Sequence, residues 1–171
     1  ALNANKPIVA LESTLISHGL PYPENLEVAN SSINVIKETG SIPATIGIID
    51  GRIKVGLNKK DIEILSTSKN IQKVSIHNLA LSLSKKTNAA TTVASTIHIA
   101  SRLGIKFFAT GGIGGVHLNA GKTFDVSSDL NELSKTTMYI VCSGAKSILD
   151  IDKTYEKLET LGISRIGFNT D

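Results

Sequence analysis

The chain has 171 residues, enough to bury a core within one domain. Hydrophobic residues make up 41% and charged residues 19%, an ordinary globular balance, and no run reaches the roughly 18 apolar residues of a membrane-spanning helix. The net charge is +3, with lysines spread along the chain in doublets such as Lys59-Lys60 and Lys85-Lys86, and aromatics reach only 4% with no Trp, which argues against nucleic acid and would still suit a small anionic substrate.

"PIVALES" reads as a short buried strand, Ile8 to Leu11, delivering Glu12 at its C-terminal end. A carboxylate there is costly unless paired or functional, so a salt-bridged strand end competes with a working acid. "HGLPYPENLEVA" is rich in Gly and Pro and then turns helical from Pro23, with Leu26, Ala29, Ile33 and Ile36 at helical spacing up to Gly40. "ATIGIIDGRIKVGL" gives two strands around the turn pair Asp50-Gly51. "NKKDIEILSTS" is a short helix capped by Asn58. "IQKVS" is extended, "NLALSLSKK" is helical, and "TTVASTIHIASRLG" is a helix closing on Gly104. "IKFFATGGIGG" is a buried strand entering a glycine loop, and "DVSSDLNELSK" is a helix with a Ser/Asp-rich start. "TMYIVCSG" is another buried strand, "SILDIDKTYEKLETLG" an amphipathic helix closing on Gly162, and "ISRIGFNTD" begins one more strand. Apolar strands alternating with helices predict an α/β domain over residues 1–171, with a largely parallel sheet covered on both faces and made mixed by the early hairpin. The single cysteine, Cys142, is expected to be a buried small hydrophobe. It cannot pair within the chain and fits a reducing compartment. With no signal-peptide pattern, the expected location is the cytoplasm or a eukaryotic organelle, not the secretory route.

In such sheets ligands gather at the C-terminal ends of strands. Three strand ends here carry unusual chemistry. The first is Glu12. The second is "TGGIGGVH", Thr110 to His117, where four glycines in five positions either meet a need for positive φ or let the backbone approach a ligand closely, with free N–H groups for a phosphate. It is neither a dinucleotide fingerprint, since His117 stands where a glycine is required, nor a P-loop, since Val116 does. The third is Lys146, read as standing at a helix N-terminus. There the macrodipole and partial burial disfavour an ammonium and would hold the amine neutral and nucleophilic, as imine chemistry needs; a lysine snorkelling to the surface is the bland alternative. Asp125 and Asp129 form an i, i+4 pair that either caps a helix together with Ser127 or Ser128, or holds a hard divalent cation with waters. The four histidines (His18, His77, His98, His117) show no zinc spacing. His98 is read as a satisfied core residue, and His18 and His117 as loop candidates.

The segments "VALEST", "SHGLPYPENLEVA", "IPATIGIIDGRIKVGL", "NAATTVASTIHIA", "FFATGGIGGVH", "TFDVSSDLNEL" and "VCSGAKSILDI" together resemble the pseudouridine-5′-phosphate glycosidase family, also called indigoidine synthase A-like, from about Pro7 to Asp171. The resemblance implies a three-layer α/β/α fold with a central mixed, largely parallel sheet. It implies a homotrimer, a divalent metal such as Mn2+, and reversible cleavage of pseudouridine 5′-phosphate to uracil and ribose 5-phosphate. On matching motifs it makes Lys146 the imine-forming lysine, Glu12 the acid/base, Lys73 a second active-site lysine and Asp129 the metal ligand. Thr92, Thr110, Gly112, His117 and Ser127 match positions near the substrate and its phosphate.

Two departures from the family stand out. After Lys73-Val74-Ser75 the family has an Arg-Arg-Asp-Leu type continuation, where this chain has Ile76-His77-Asn78-Leu79. Members also continue beyond the point where this chain stops, with an asparagine there that contacts uracil. A catalytically impaired or partial homologue that binds phosphosugars or serves in an assembly is therefore the alternative expectation. Physically, C5 of uracil is a poor leaving atom without a lone pair, so attack by Lys146 on C1′ splits one hard step into easier ones, with Glu12 moving protons.

Overall fold

The computed structural model describes residues 6–169. One sheet of seven strands runs through it. Strand β1 (Ile8–Leu11) is flanked by the early part of β2 (Ile42–Ile49) and by β6 (Phe107–Ala109), both parallel to it, and β7 (Tyr139–Val141) extends that half parallel to β6. The later part of β2 pairs antiparallel with β3 (Arg52–Val55) and with β5 (Ala89–Thr91), which carries β4 (Gln72–Val74) parallel on its other side. Asp50 and Gly51 turn β2 into β3 with φ of 50° and 70°, as the turn pair predicts. The three-layer α/β/α arrangement is as expected, with structural relatives of the same fold described below.

Alternation along the strands decides which helix covers which face. Ala10, Ile46 and Phe108 face a core shared with α4 (Val93–Arg102), α6 (Ser128–Leu133) and α7 (Ile151–Thr160). Ile48, Val74 and Ala89 continue that face under α3 (Ile76–Ser84). Ile49 and Ala90 point the other way, into α1 (Glu24–Glu38), α2 (Lys59–Thr67) and the π-helical turn Leu15–Gly19. Asn58 caps α2 by accepting from the Asp61 N–H while Asp61 accepts from the Asn58 N–H, so the predicted cap is a full capping box. Among the described residues no helix is long and apolar enough to cross a membrane.

Several predicted elements differ. Strand β5 and the short α5 (Ala120–Thr123) were not expected, and Thr91 belongs to β5, so α4 begins only after Thr92. β7 is an edge strand, not a buried one: Tyr139 and Val141 are 67% and 65% exposed, and Tyr139 stacks on Phe107 at 5.2 Å on an open sheet face. Cys142 is correspondingly half-buried. The last helix starts at Ile151 rather than near Ser147. No strand forms over residues 163–169, and 170–171 lie outside the described residues.

β1 and β5 approach each other head to head along β2. Leu11 pairs with Thr45 and Ala90 with Gly47, so their carboxyl ends meet beside Ile46. A buried hydroxyl web closes the junction. Ser13 and Thr91 both donate to the Ile46 carbonyl at 2.7 Å, and the Thr91 N–H donates to Ser13 Oγ at 2.9 Å. Thr14 donates to the Thr91 carbonyl and Thr96 to the Thr91 hydroxyl, at 2.8 and 2.9 Å. Removing the Ser13 hydroxyl would leave the buried Thr91 N–H without its acceptor. Ser13→Ala is expected to cost about 1–3 kcal/mol in urea unfolding with native far-UV circular dichroism; an unchanged midpoint would show that water or a shifted backbone replaces the hydroxyl.

Candidate active site

Because β4 and β5 run opposite to β1, β6 and β7, the carboxyl ends of both sets face one another across the junction. Glu12 follows β1, Thr92 follows β5, Thr110 follows β6, and Lys146 lies five residues beyond β7. Lys73 sits within β4 and is exposed. The head-to-head arrangement thus collects residues far apart in sequence without requiring an all-parallel sheet.

Glu12 is only 8% exposed and has no salt bridge among the described residues. Its Oε1 accepts from the Thr110 hydroxyl at 2.5 Å. Burial is the largest influence on the carboxyl and pushes it above its ordinary 4.5. The Thr110 hydrogen bond and then the charge on Lys146 pull it back. Asp129 pushes it up again, and Lys73 pulls it down. Lys146, Lys73 and Asp129 therefore all act on Glu12, which makes one electrostatic site of four sequence candidates. The hydroxyl of Thr110, read from the sequence as a phosphate contact, is engaged with Glu12.

The glycine loop is explained by close approach and not by positive φ. None of Gly111, Gly112, Gly114 and Gly115 is among the positive-φ glycines. A Cβ on Gly112 would stand 3.2 Å from Lys146 Cγ, one on Gly114 would stand 2.7 Å from Asp129 Oδ2, and one on Gly115 would press on Thr154. A Cβ on Gly111 would meet nothing within 4 Å, and this glycine lines a cleft of about 450 Å³ with Glu12, Thr110, Leu15 and Val28 of α1.

Lys146 is not at a helix N-terminus. Ala145 bridges to Ile113 and Leu149 to His117, so this backbone is drawn into a ladder with the glycine loop and cannot also coil. The Lys146 N–H donates to the Ile113 carbonyl at 3.1 Å, and Asp150 caps α7 by accepting from the Lys153 N–H. The residue is exposed and α7 begins five positions later, so the helix N-terminus and the partial burial expected of it are both absent. What singles Lys146 out is its seat against Gly112 and its charge on Glu12.

Ser127 caps α6 by accepting from the Asp129 N–H, which is the capping reading of that segment, and its own N–H donates to the Gly115 carbonyl at 2.9 Å. Thr92 caps α4, and its N–H donates to the Val74 carbonyl. His117 is half exposed and lies 3.8 Å from the exposed carboxylate of Asp125. His98 has partners on both ring nitrogens, Glu132 at 2.6 Å and Arg102. In the departing segment Asn78 accepts from the Ser75 N–H and donates to the Lys73 carbonyl, so the amide fills the capping place at the start of α3. Sequence reading missed Ser13, Ser75 and Thr91, and named Ser128 only as a possible cap; Ser75 and Ser128 bond at 2.8 Å and tie the start of α3 to that of α6.

As the metal ligand that the resemblance implies, Asp129 does not fit. It is 5% exposed, Oδ1 accepts from the Ala94 N–H and Oδ2 from the Gly114 N–H, each at 2.8 Å. Among the described residues no three of His, Cys, Asp and Glu gather as a ligand set.

The profile of the family described as indigoidine synthase A like protein matches residues 1–171. The chain is 57% identical over 171 residues to pseudouridine-5′-phosphate glycosidases of Petrotoga mobilis and of Staphylococcus aureus, covering 100% of this chain and 56% of each relative. It therefore spans about half the length of the curated relatives it matches. The crystal structure of a prealnumycin C-glycosynthase in complex with ribulose 5-phosphate superposes with a TM-score of 0.86 at 44% identity, over 95% of this chain and 52% of that one. An indigoidine synthase A-like protein of Thermotoga maritima gives 0.86 at 40% identity, over 92% and 52%.

Two outcomes follow from the site's geometry. Gly114→Ala is expected to cost roughly 1–3 kcal/mol, because its methyl must displace Ser127 or Asp129; thermal melts that match the wild type would show the loop can yield. For Glu12 the folded value is raised, so the folded protein holds the proton more tightly than the unfolded chain. Stability is then lost as pH rises from 4.5 through the raised value. Glu12→Gln lacks that loss and should gain on the wild type as pH rises in urea unfolding series from about pH 4 to about pH 8; a gap that does not change with pH would contradict it.

Proposed function

We propose, from the premise that this chain belongs to the indigoidine synthase A-like family, that it carries the sugar-side machinery for reversible cleavage of the C–C glycosidic bond of pseudouridine 5′-phosphate to uracil and ribose 5-phosphate. The observation that carries the reading is the convergence on Glu12: a buried carboxyl bonded by Thr110, in which burial favours the proton and on which the charges of Lys146 and Lys73 act. The names of the curated relatives support the substrate, and a structural relative holding ribulose 5-phosphate supports a phosphosugar.

The chemistry follows from these groups. After Lys146 sheds a proton to solvent its amine attacks C1′: the N–C1′ bond forms, the C1′–O4′ bond breaks, and the attacking nitrogen passes a proton to O4′. Glu12, in which burial favours the proton, gives a proton to C5 of uracil. The C1′–C5 bonding pair returns to the uracil ring while the nitrogen lone pair makes an iminium with C1′. Water hydrolyses the iminium to ribose 5-phosphate and frees Lys146. Thr110 fixes the Glu12 oxygen that it bonds. Lys73 supplies positive charge for the phosphate, with the glycine loop, Thr92, His117 and Ser127 around it. Asp125, and not Asp129, has carboxylate oxygens open to hold a manganese ion, which would supply positive charge there. A homotrimer and a cytoplasmic location belong to the same proposal, the latter supported by a single cysteine.

Borohydride added with ribose 5-phosphate should trap a reduced adduct on Lys146, read by peptide mass, and Lys146→Ala should trap none. Label on another lysine, or on none, would sink the covalent route. Glu12→Ala should lower turnover of pseudouridine 5′-phosphate by roughly 10²–10⁴-fold while adduct formation from ribose 5-phosphate persists.

A further inference from the structure

We propose that Asp129 is a clamp that fixes the glycine loop to the start of α4 and, through that loop, positions Lys146. This goes beyond the proposed reaction, which assigns the residue no step.

Each oxygen of this carboxylate is already committed within the chain. Oδ1 accepts from the Ala94 N–H, in the first turn of α4, and Oδ2 from the Gly114 N–H, each at 2.8 Å. The first amide is one of those a helix leaves without an internal partner. A negative charge there is also favoured by the helix dipole, and α4 is ten residues long. The second amide belongs to a residue whose missing Cβ is what lets the carboxylate and Ser127 close on the loop. The Ser127 hydroxyl accepts from the Asp129 N–H, so main chain and side chain of the aspartate are both pinned. Two residues before Gly114 the same loop packs against Lys146 Cγ, and Ile113 bonds to the Gly144 carbonyl and the Lys146 N–H. The chain of contacts therefore runs from α4 through Asp129 and Gly114 to the backbone of Lys146. An ion bound to Asp129 would compete with two charge-assisted hydrogen bonds to buried amides, in a residue 5% exposed.

Amide hydrogen exchange of the wild-type chain in EDTA tests this first. Slow exchange at Ala94 and Gly114 in EDTA, with no further slowing in Mn2+, is expected; fast exchange in EDTA that Mn2+ slows would overturn the clamp. In Asp129→Asn, whose amide can accept at only one of the two places, exchange at one or both amides should accelerate and the melting temperature should fall equally in EDTA and in Mn2+. A Mn2+-dependent rise in melting temperature seen in the wild type and abolished in Asp129→Asn would make the residue a metal ligand and overturn the inference. If the variant does not fold, the wild-type exchange result decides. Positioning has its own readout. Trapping of ribose 5-phosphate on Lys146 should slow about tenfold in maximal rate in Asp129→Asn at an unchanged half-saturating concentration, and a rate equal to wild type would overturn the positioning role. That last arm rests on the imine reading: a wild type that traps nothing counts against the imine at Lys146, and amide exchange still decides the clamp.

Discussion

The site depends on one carbonyl. Ile46 stands where the first strand and the fifth run into each other along β2, and its oxygen accepts from Ser13 and from Thr91. Two strands meeting head-on leave backbone groups that neither ladder can satisfy, and in a buried place each would be costly. Hydroxyl side chains supply the missing partners. Because Ser13 adjoins Glu12 and Thr91 adjoins Thr92, the same bonds that close the sheet also set the distance between an acid and a helix cap.

Around that point the glycine loop acts as a mould. Its residues leave out side chains where the neighbours are Lys146, Asp129 and Thr154, so the loop is shaped from the protein side by what would collide with a methyl group. The electrostatic balance at Glu12 follows from the same closeness. Burial favours the proton, the lysines oppose it, and Asp129 restores part of what they remove. An acid of this kind keeps its proton further up the pH scale than a surface glutamate, which a donor to carbon requires.

Elements with a local cause were legible in the sequence. The Asp50-Gly51 turn, the Asn58 cap and the apolar spacing of α1 each state their structure within a few residues. The elements that were not legible have remote causes. Ala89 to Thr91 has little strand propensity of its own and is held by β2 and β4. Ser147 to Asp150 continues a helical pattern, yet bridges to the glycine loop take its backbone. In the site, Glu12, Lys146 and the close approach of the glycines could be picked out by residue type. What the glycines approach, and that Thr110 and Asp129 spend their polar atoms on the protein itself, arises from contacts between distant segments that no spacing records.

The hydrogen bond between Glu12 and Thr110 joins residues 98 positions apart, and the web at Thr91 reaches back 78 positions to Ser13. Closing loops of that length costs chain entropy before any contact rewards it. Structures rich in such pairings form slowly for their size. No contiguous fragment shorter than the span from β1 to the Lys146 turn holds the whole arrangement, so a chain emerging from synthesis has none of the chemistry until that turn is available. The acid, the amine and the loop between them therefore depend on the same long-range contacts.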